Sequence, residues 1–126
     1  MNAILSIKPK YAEKIYSGEK TVEFRKCYIC SPIIMYLYET SPVKSITGYI
    51  FVNNGVKDTK DYIWNKCSEL GGISKIDFDE YYNNQKYASA YFINKVVKFT
   101  KSIKLPAGIR RPQSYCYTHI KFEDYV

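Results

Sequence analysis

The sequence predicts an α+β domain, a small mixed β-barrel of five to six strands with one early helix and a helical insertion before the late strands. Three observations carry that expectation. Segments with strand character outnumber helical ones, and their connections are too short for a doubly wound parallel sheet. The chain of 126 residues can bury about two thirds of its unfolded surface in one core without metal or disulfides, so residues 1–126 read as a single domain.

Met1 to Ile7 opens as a strand, with Ala3, Leu5 and Ile7 alternating against Ile4 and Ser6. Lys8 to Gly18 is a short helix. Pro9 suits its first turn, where a missing N–H costs nothing, and Gly18 suits the left-handed conformation that closes a helix. Tyr11, Ala12, Ile15 and Tyr16 form its apolar face, with Lys10, Glu13, Lys14 and Ser17 outside. After Gly18 the period changes to two. Val22 and Phe24 then point at a core, and Thr21, Glu23 and Arg25 share the opposite face.

Ile33 to Glu39 is a near-continuous apolar run, the pattern of a strand covered on both faces. Ser41-Pro42 punctuates it, and Lys44 to Asn53 reads as a longer strand in which Gly48 marks a bulge, a bend or a close backbone approach. Asn54-Gly55 is the turn that ends it. Asp58 then caps a helix whose inner face is Tyr62, Ile63, Lys66, Cys67 and Leu70, stopped by Gly71-Gly72; Asp77 caps a second, Phe78 to about Asn84. Alternation returns at Tyr87 and runs to Phe99. Residues 105–108 and 110–112 are loop, and Ser114 to Phe122 is a last strand.

No run of about 18 apolar residues is present, and the apolar part of the N-terminus is too short for a signal peptide, so the expectation is a cytoplasmic protein with no membrane association. Four cysteines without a secretory signal read as reduced thiols. Cys27-Tyr-Ile-Cys30 and Cys116-Tyr-Thr-His119 formally pair CxxC with CxxH. They lie 85 positions apart, lack the glycine-rich turn of a knuckle, and sit in strand-like sequence where i and i+3 face opposite ways, so no metal and no cofactor is expected.

The net charge is +7. Residues 1–26 carry six basic and three acidic side chains and residues 87–126 seven and two, whereas the segments between them are near neutral. If the chain ends meet in space they form one basic face, which attracts phosphates.

The run Ile4-Leu5-Ser6-Ile7-Lys8-Pro9, then Tyr11-Ala12-Glu13-Lys14-Ile15, then Gly18-Glu19-Lys20-Thr21-Val22-Glu23-Phe24-Arg25-Lys26, resembles the opening signature of the ASCH domain, a branch of the PUA-like superfamily. Tyr91-Phe92-Ile93 and Arg111-Pro112-Gln113-Ser114-Tyr115 resemble its final elements. The resemblance implies a PUA-like barrel with a cleft beside the first helix and a role in binding RNA or a modified nucleoside. Some relatives remove the acetyl group from N4-acetylcytidine, and ribonuclease activity has been suggested for others. In the amidohydrolase branch the turn lysine is catalytic, which maps onto Lys20; the position of that branch's catalytic threonine holds Glu23 here, and Glu69 and Glu80 are candidates for its helical glutamate.

Read from the residues, nucleic-acid binding needs cations for phosphate, flat faces for bases and polar groups for base edges. Lys8, Lys20, Arg25, Arg110 and Arg111 are candidates for the first, and Trp64 and tyrosines such as Tyr115 for the second. Glu23, Gln113 and Ser114 are candidates for the third, with Thr21 beside them. A hydrolase needs a base and an oxyanion stabiliser. Lys20 serves as base only if burial or a nearby cation lowers its pKa; alternatively Glu23 is the base and Lys20 the stabiliser. For Glu23 and Arg25 the simpler alternative is a surface ion pair, and for His119 a strand residue with a satisfied hydrogen bond. A third class, a protein-interaction module using the aromatic surface, stays open beside these.

Overall fold

The computed structural model describes residues 2–125; Met1 of the first expected strand, and Val126, lie outside the described residues. The elements run β1 (Asn2–Ile7), α1 (Pro9–Ser17), β2 (Val22–Arg25), β3 (Ile33–Glu39), β4 (Ser45–Thr59), α2 (Lys60–Cys67), α3 (Lys75–Tyr81), β5 (Tyr87–Ile103), β6 (Tyr115–Thr118) and a 3₁₀ turn, Phe122–Tyr125. The six strands form one sheet in the order β2-β5-β4-β3-β1-β6. Only β1 and β3 are parallel, with Ala3 opposite Met35 and Ile7 opposite Glu39.

The architecture is α+β and mixed, as expected, but the sheet does not close into a barrel. Its edges are β2 and β6. The free edge of β2 is taken by the segment after α2, where Leu70 O accepts from Thr21 N at 2.8 Å and Val22 N at 3.1 Å. Covering an edge with a loop removes the donors a closing ladder would need. Across the gap between the edges, a side chain bridges in place of backbone: Arg25 Nη2 donates to Ser6 O at 3.0 Å.

Pro9 stands in the first turn of α1, and Gly18 closes the helix at φ 85 with its N–H on Ile15 O. β4 and β5 are longer than the sequence suggests. Asn54 and Gly55 do not turn but pair with Phe92 and Tyr91, and the ladder shifts register around Val52. Gly55 is required by contact: a Cβ there would stand 2.9 Å from the Tyr91 ring. Gly48 marks the expected close approach, since its Cβ would lie 2.2 Å from Val97 O. The ladder of β4 with β3 shifts between Leu37 and Tyr38, opposite it.

The helix caps also differ. Thr59, not Asp58, caps α2 by accepting from Tyr62 N, and Ser74 caps α3 by accepting from Asp77 N, so α3 starts three residues before Phe78. Of the expected inner face of α2 only Ile63 and Cys67 are buried; Tyr62 and Leu70 are exposed. β6 ends at Thr118, whose Oγ1 accepts from Ile120 N and turns the chain out of the ladder.

The core has three parts. Ala12 and Ile15 of α1 pack on Ala3, Leu5, Met35, Leu37 and Ile50. Ile63, Cys67, Phe78 and Tyr82 of the helical insertion pack on Val22, Phe24, Ala88 and Ala90. Ile4, Tyr36, Tyr38, Ile46, Phe99 and Phe122 form a third cluster. The first two hold α1 and α3 on either side of β2. Among the described residues, no helix is long and apolar enough to cross a membrane.

Candidate functional site

A cleft of about 820 Å³ opens between α1, α3, β2 and the paired chain ends. Its floor is β2, and α1 fixes how that strand begins. Lys20 N donates to Lys14 O at 3.0 Å, directly after the left-handed Gly18. That turn places Lys20, Glu23 and Arg25 along the floor, 3%, 5% and 6% exposed. Such burial rules out a solvated surface pair.

Glu23 lies between the two cations. Its Oε2 accepts from Arg25 Nε at 2.9 Å and Nη2 at 2.7 Å, and Oε1 faces Lys20 Nζ at 3.3 Å. Lys20 Nζ also donates to Gly71 O and lies over the rings of Phe24 (5.2 Å) and Tyr11 (5.7 Å). Arg25 ties this cluster to the opposite wall through Ser6 O, and Nη1 approaches Ser114 O and Oγ at 3.4 and 3.5 Å.

The electrostatics follow from that geometry. Burial pushes the Lys20 ammonium below its ordinary pKa; the Glu23 carboxylate opposes this, and Arg25 and Lys14 add to it. Burial pushes the Glu23 carboxyl up, but the charges and hydrogen bonds of Arg25 and Lys20 outweigh it and hold the group below the usual carboxylate range. Glu23 is therefore held in its ionised form, and the Lys20 ammonium gives up its proton more readily than an ordinary lysine does. By donor and acceptor count, Lys20 keeps one N–H and Glu23 Oε1 keeps one acceptor position unused by the protein.

Lys8, Arg111, Gln113 and Ser114 line the cleft with the floor residues. They meet because β6 pairs antiparallel with β1, Asn2 opposite Thr118, and Ser6 N donates to Ser114 O at 2.9 Å. Thr21, Arg110 and Tyr115 are not in the lining. Thr21 is exposed, since it precedes β2 and its backbone bonds to Leu70 and Ile93 instead of extending the strand alternation. Arg110 is exposed in the loop, and Tyr115 packs edge-on to Tyr117 against the core. Lys95, Lys98, Lys101 and Lys104 lie on or just beyond β5, which β4 and β3 separate from β1, so most of the C-terminal basic excess sits outside the cleft.

Sequence reasoning named Glu80 of the α3 wall but missed Asp77 and Tyr81. These two also line the cleft, with Tyr11 of α1 donating to Asp77 Oδ2 at 3.3 Å. Burial and then the Asp77 charge raise the Tyr11 phenol, and burial raises Tyr81 despite Arg25. Both stay protonated. Of the two helical glutamates considered, Glu80 lines the cleft and Glu69 is exposed elsewhere. Trp64 packs on Phe78, 4.8 Å between centroids, and is not in the lining.

Cys27 and Cys30 are exposed in the loop after β2 instead of strand, and His119 is exposed beyond β6. Among the described residues, no group of three or more His, Cys, Asp or Glu side chains is placed to hold a metal ion.

A model of the ASCH domain family matches residues 5–123. The chain belongs to that family. This ASCH domain is 27% identical over 120 residues to a protein of Zymomonas mobilis named an ASCH domain-containing ribonuclease, covering 89% of this chain and 80% of that one. The crystal structure of ASCH from Zymomonas mobilis superposes with a TM-score of 0.85 at 25% identity, over 98% of this chain and 90% of the other. A large ribosomal subunit protein uL22 of Ureaplasma parvum serovar 3 is 31% identical over 98 residues, which is 76% of this chain but 32% of that protein. The match there spans about a third of the longer protein. The open mixed sheet with its flanking helices is thus an ASCH/PUA-like fold.

Proposed function

We propose that this ASCH domain binds RNA, taking one nucleotide into the cleft over Lys20, Glu23 and Arg25. The carrying observation is the buried cluster itself, a desolvated floor whose cations exceed its carboxylates and which keeps one donor and one acceptor free. That pair suits a nucleobase edge, with Glu23 Oε1 accepting from an exocyclic amino group such as that of cytosine. Tyr11 and Tyr81 in the lining supply aromatic surface for a base. Six basic side chains line the cleft (Lys8, Lys10, Lys20, Arg25, Lys26, Arg111) against three acidic (Glu23, Asp77, Glu80), which favours a phosphate chain. The volume of about 820 Å³ suits a nucleotide. The Zymomonas relative named a ribonuclease agrees with RNA as the ligand class.

Salt dependence is the test. Affinity for single-stranded RNA is expected to fall steeply between about 50 and 200 mM salt. Binding that hardly responds to salt, or no RNA binding with retention of a protein partner, supports the interaction-module reading instead.

One observation favours a second reading, hydrolysis: the buried Lys20 with a lowered pKa. On N4-acetylcytidine or a related nucleoside, neutral Lys20 takes a proton from water as the hydroxide adds to the acetyl carbon, and the Lys20 ammonium then gives that proton to N4 as the C–N bond breaks, releasing acetic acid, which ionises to acetate, and cytidine. Cytidine release by the wild type that disappears in Lys20→Met supports this. Absence of turnover, or turnover unchanged in the variant, removes it and also removes Lys20 as base for a ribonuclease if RNA cleavage is assayed in parallel.

A further inference from the structure

We propose that Cys27 and Cys30 form a redox-active dithiol at the rim of the cleft, closed to a disulfide by exchange with a small-molecule disulfide of the glutathione class, and that closure repositions Lys26. The inference is independent of what the cleft binds.

On a strand, i and i+3 face opposite ways and could not pair. The structure removes that obstacle, because β2 ends at Arg25 and both cysteines stand free and exposed in the loop before β3. The chain bends at Lys26 and Cys27 and again at Ser31 and Pro32. Between the cysteines the loop is anchored. Ile29 is fully buried in the cluster of Leu5 and Met35. Its N–H donates to the Tyr91 hydroxyl, which in turn donates to Cys27 O at 3.0 Å. Tyr28 stacks on the same ring, 6.1 Å between centroids. Tyr91 thus fixes the backbone of the loop and leaves both cysteines at the surface. Residues 26–32 include no carboxylate, so no fixed anion within the loop opposes a thiolate.

The other two cysteines differ. Cys67 is buried under α2, and Cys116 packs on the cluster of Ile4 and Tyr36. Burial raises both thiols, which depletes the reactive thiolate.

In the exchange, one cysteine thiolate attacks a sulfur of the small disulfide, forming a mixed disulfide and expelling one thiolate. The second cysteine attacks the protein sulfur of that mixed disulfide, forming the Cys27–Cys30 bond and expelling the other. The two leaving thiolates take up the two protons the cysteines lose, and two electrons pass from the protein to the reagent. Closure bears on the cleft because Cys27 directly follows Lys26, a lining residue whose ammonium lies 4.9 Å from the centre of the Tyr81 ring. With Ile29 held on Tyr91, drawing Cys27 toward Cys30 shifts Lys26 relative to Tyr81.

The test equilibrates the folded wild type, Cys27→Ser and Cys30→Ser with reduced and oxidised glutathione, quenches with an alkylating agent and maps the cysteines by peptide mass spectrometry. The wild type is expected to give the Cys27–Cys30 disulfide. At a fixed ratio of reduced to oxidised glutathione, about tenfold more total glutathione should lower the ratio of disulfide to dithiol about tenfold, since each bond releases two thiols. Each single variant should stop at the mixed disulfide. Mixed disulfides persisting on both cysteines of the wild type, bonds to Cys67 or Cys116, or no reaction in oxidised glutathione alone would overturn the proposal. Amide spectra of the reduced and oxidised wild type are expected to differ at Lys26 and Tyr81; differences confined to residues 27–31 overturn the link to the cleft and leave the dithiol standing.

Discussion

Arg25 places two donors, Nε and Nη2, on one carboxylate oxygen of Glu23, at 2.9 and 2.7 Å, in a pocket floor where both residues are almost fully buried. The same guanidinium reaches Ser6 O across the open seam of the sheet. The pair therefore sets the charge of the floor and also ties together two walls of the cleft.

Glu23→Gln preserves shape and removes the one anion that offsets Lys20 and Arg25. Stability is expected to drop by about 3–5 kcal/mol, the cost of leaving a buried charge unpaired. Urea denaturation of the two proteins at neutral pH measures it. A change near zero would mean that the cluster is hydrated.

The same carboxylate gives an acid limb to stability. Its folded pKa lies below the ordinary 4.5, so the unfolded chain binds more protons there. The contribution is complete above 4.5 and is lost as pH falls through the folded value. Lys20 is shifted in the same direction: with its folded pKa below 10.5, stability rises with pH between the two values. Denaturation at a series of pH values is expected to show a smaller acid loss in Glu23→Gln and no alkaline gain in Lys20→Met.

Gly71 positions Lys20 from outside the strand. Its carbonyl accepts from Nζ, and a Cβ there would lie 2.1 Å from the Phe24 ring. Gly71→Ala is expected to cost about 1–3 kcal/mol through overpacking and to weaken RNA binding as the lysine shifts. Thermal melts and binding isotherms together check it, and unchanged values in both would show that the ring gives way freely.

Lys8 and Arg111 line the cleft without a side-chain hydrogen bond or ion pair among the described residues. The double change to Ala should leave the melting temperature within about 1–2 °C, as for surface substitutions, while reducing the log–log salt slope of single-stranded RNA binding by about 1.4. An unchanged slope would place the phosphates elsewhere.

Much of this was legible in local chemistry. Pro9 and Gly18 bracket α1 as expected, and the switch to period two puts Glu23 and Arg25 on one side of β2 with Val22 and Phe24 packed on the other. What was not legible depends on partners distant in sequence. Asn54-Gly55 reads as a turn until Tyr91 is seen to need the missing Cβ. The strand count suggests a barrel because nothing local shows that Leu70 covers the edge of β2. Tyr81 and Asp77 carry no motif; the packing of Phe78 and Tyr82 on Phe24 and Ala90 brings them to the cleft. A signal was present for Tyr11: a tyrosine one turn from the start of an amphipathic helix, followed by the site turn.

The most direct test of the central claim is an NMR titration of the isotopically labelled protein with a short single-stranded RNA, following backbone amides. The largest shift changes are expected at residues 20–26, 77–81 and 111–114, the three segments that build the cleft around Lys20, Glu23 and Arg25. Changes confined to the exposed lysines of β5, or to α2, would contradict it.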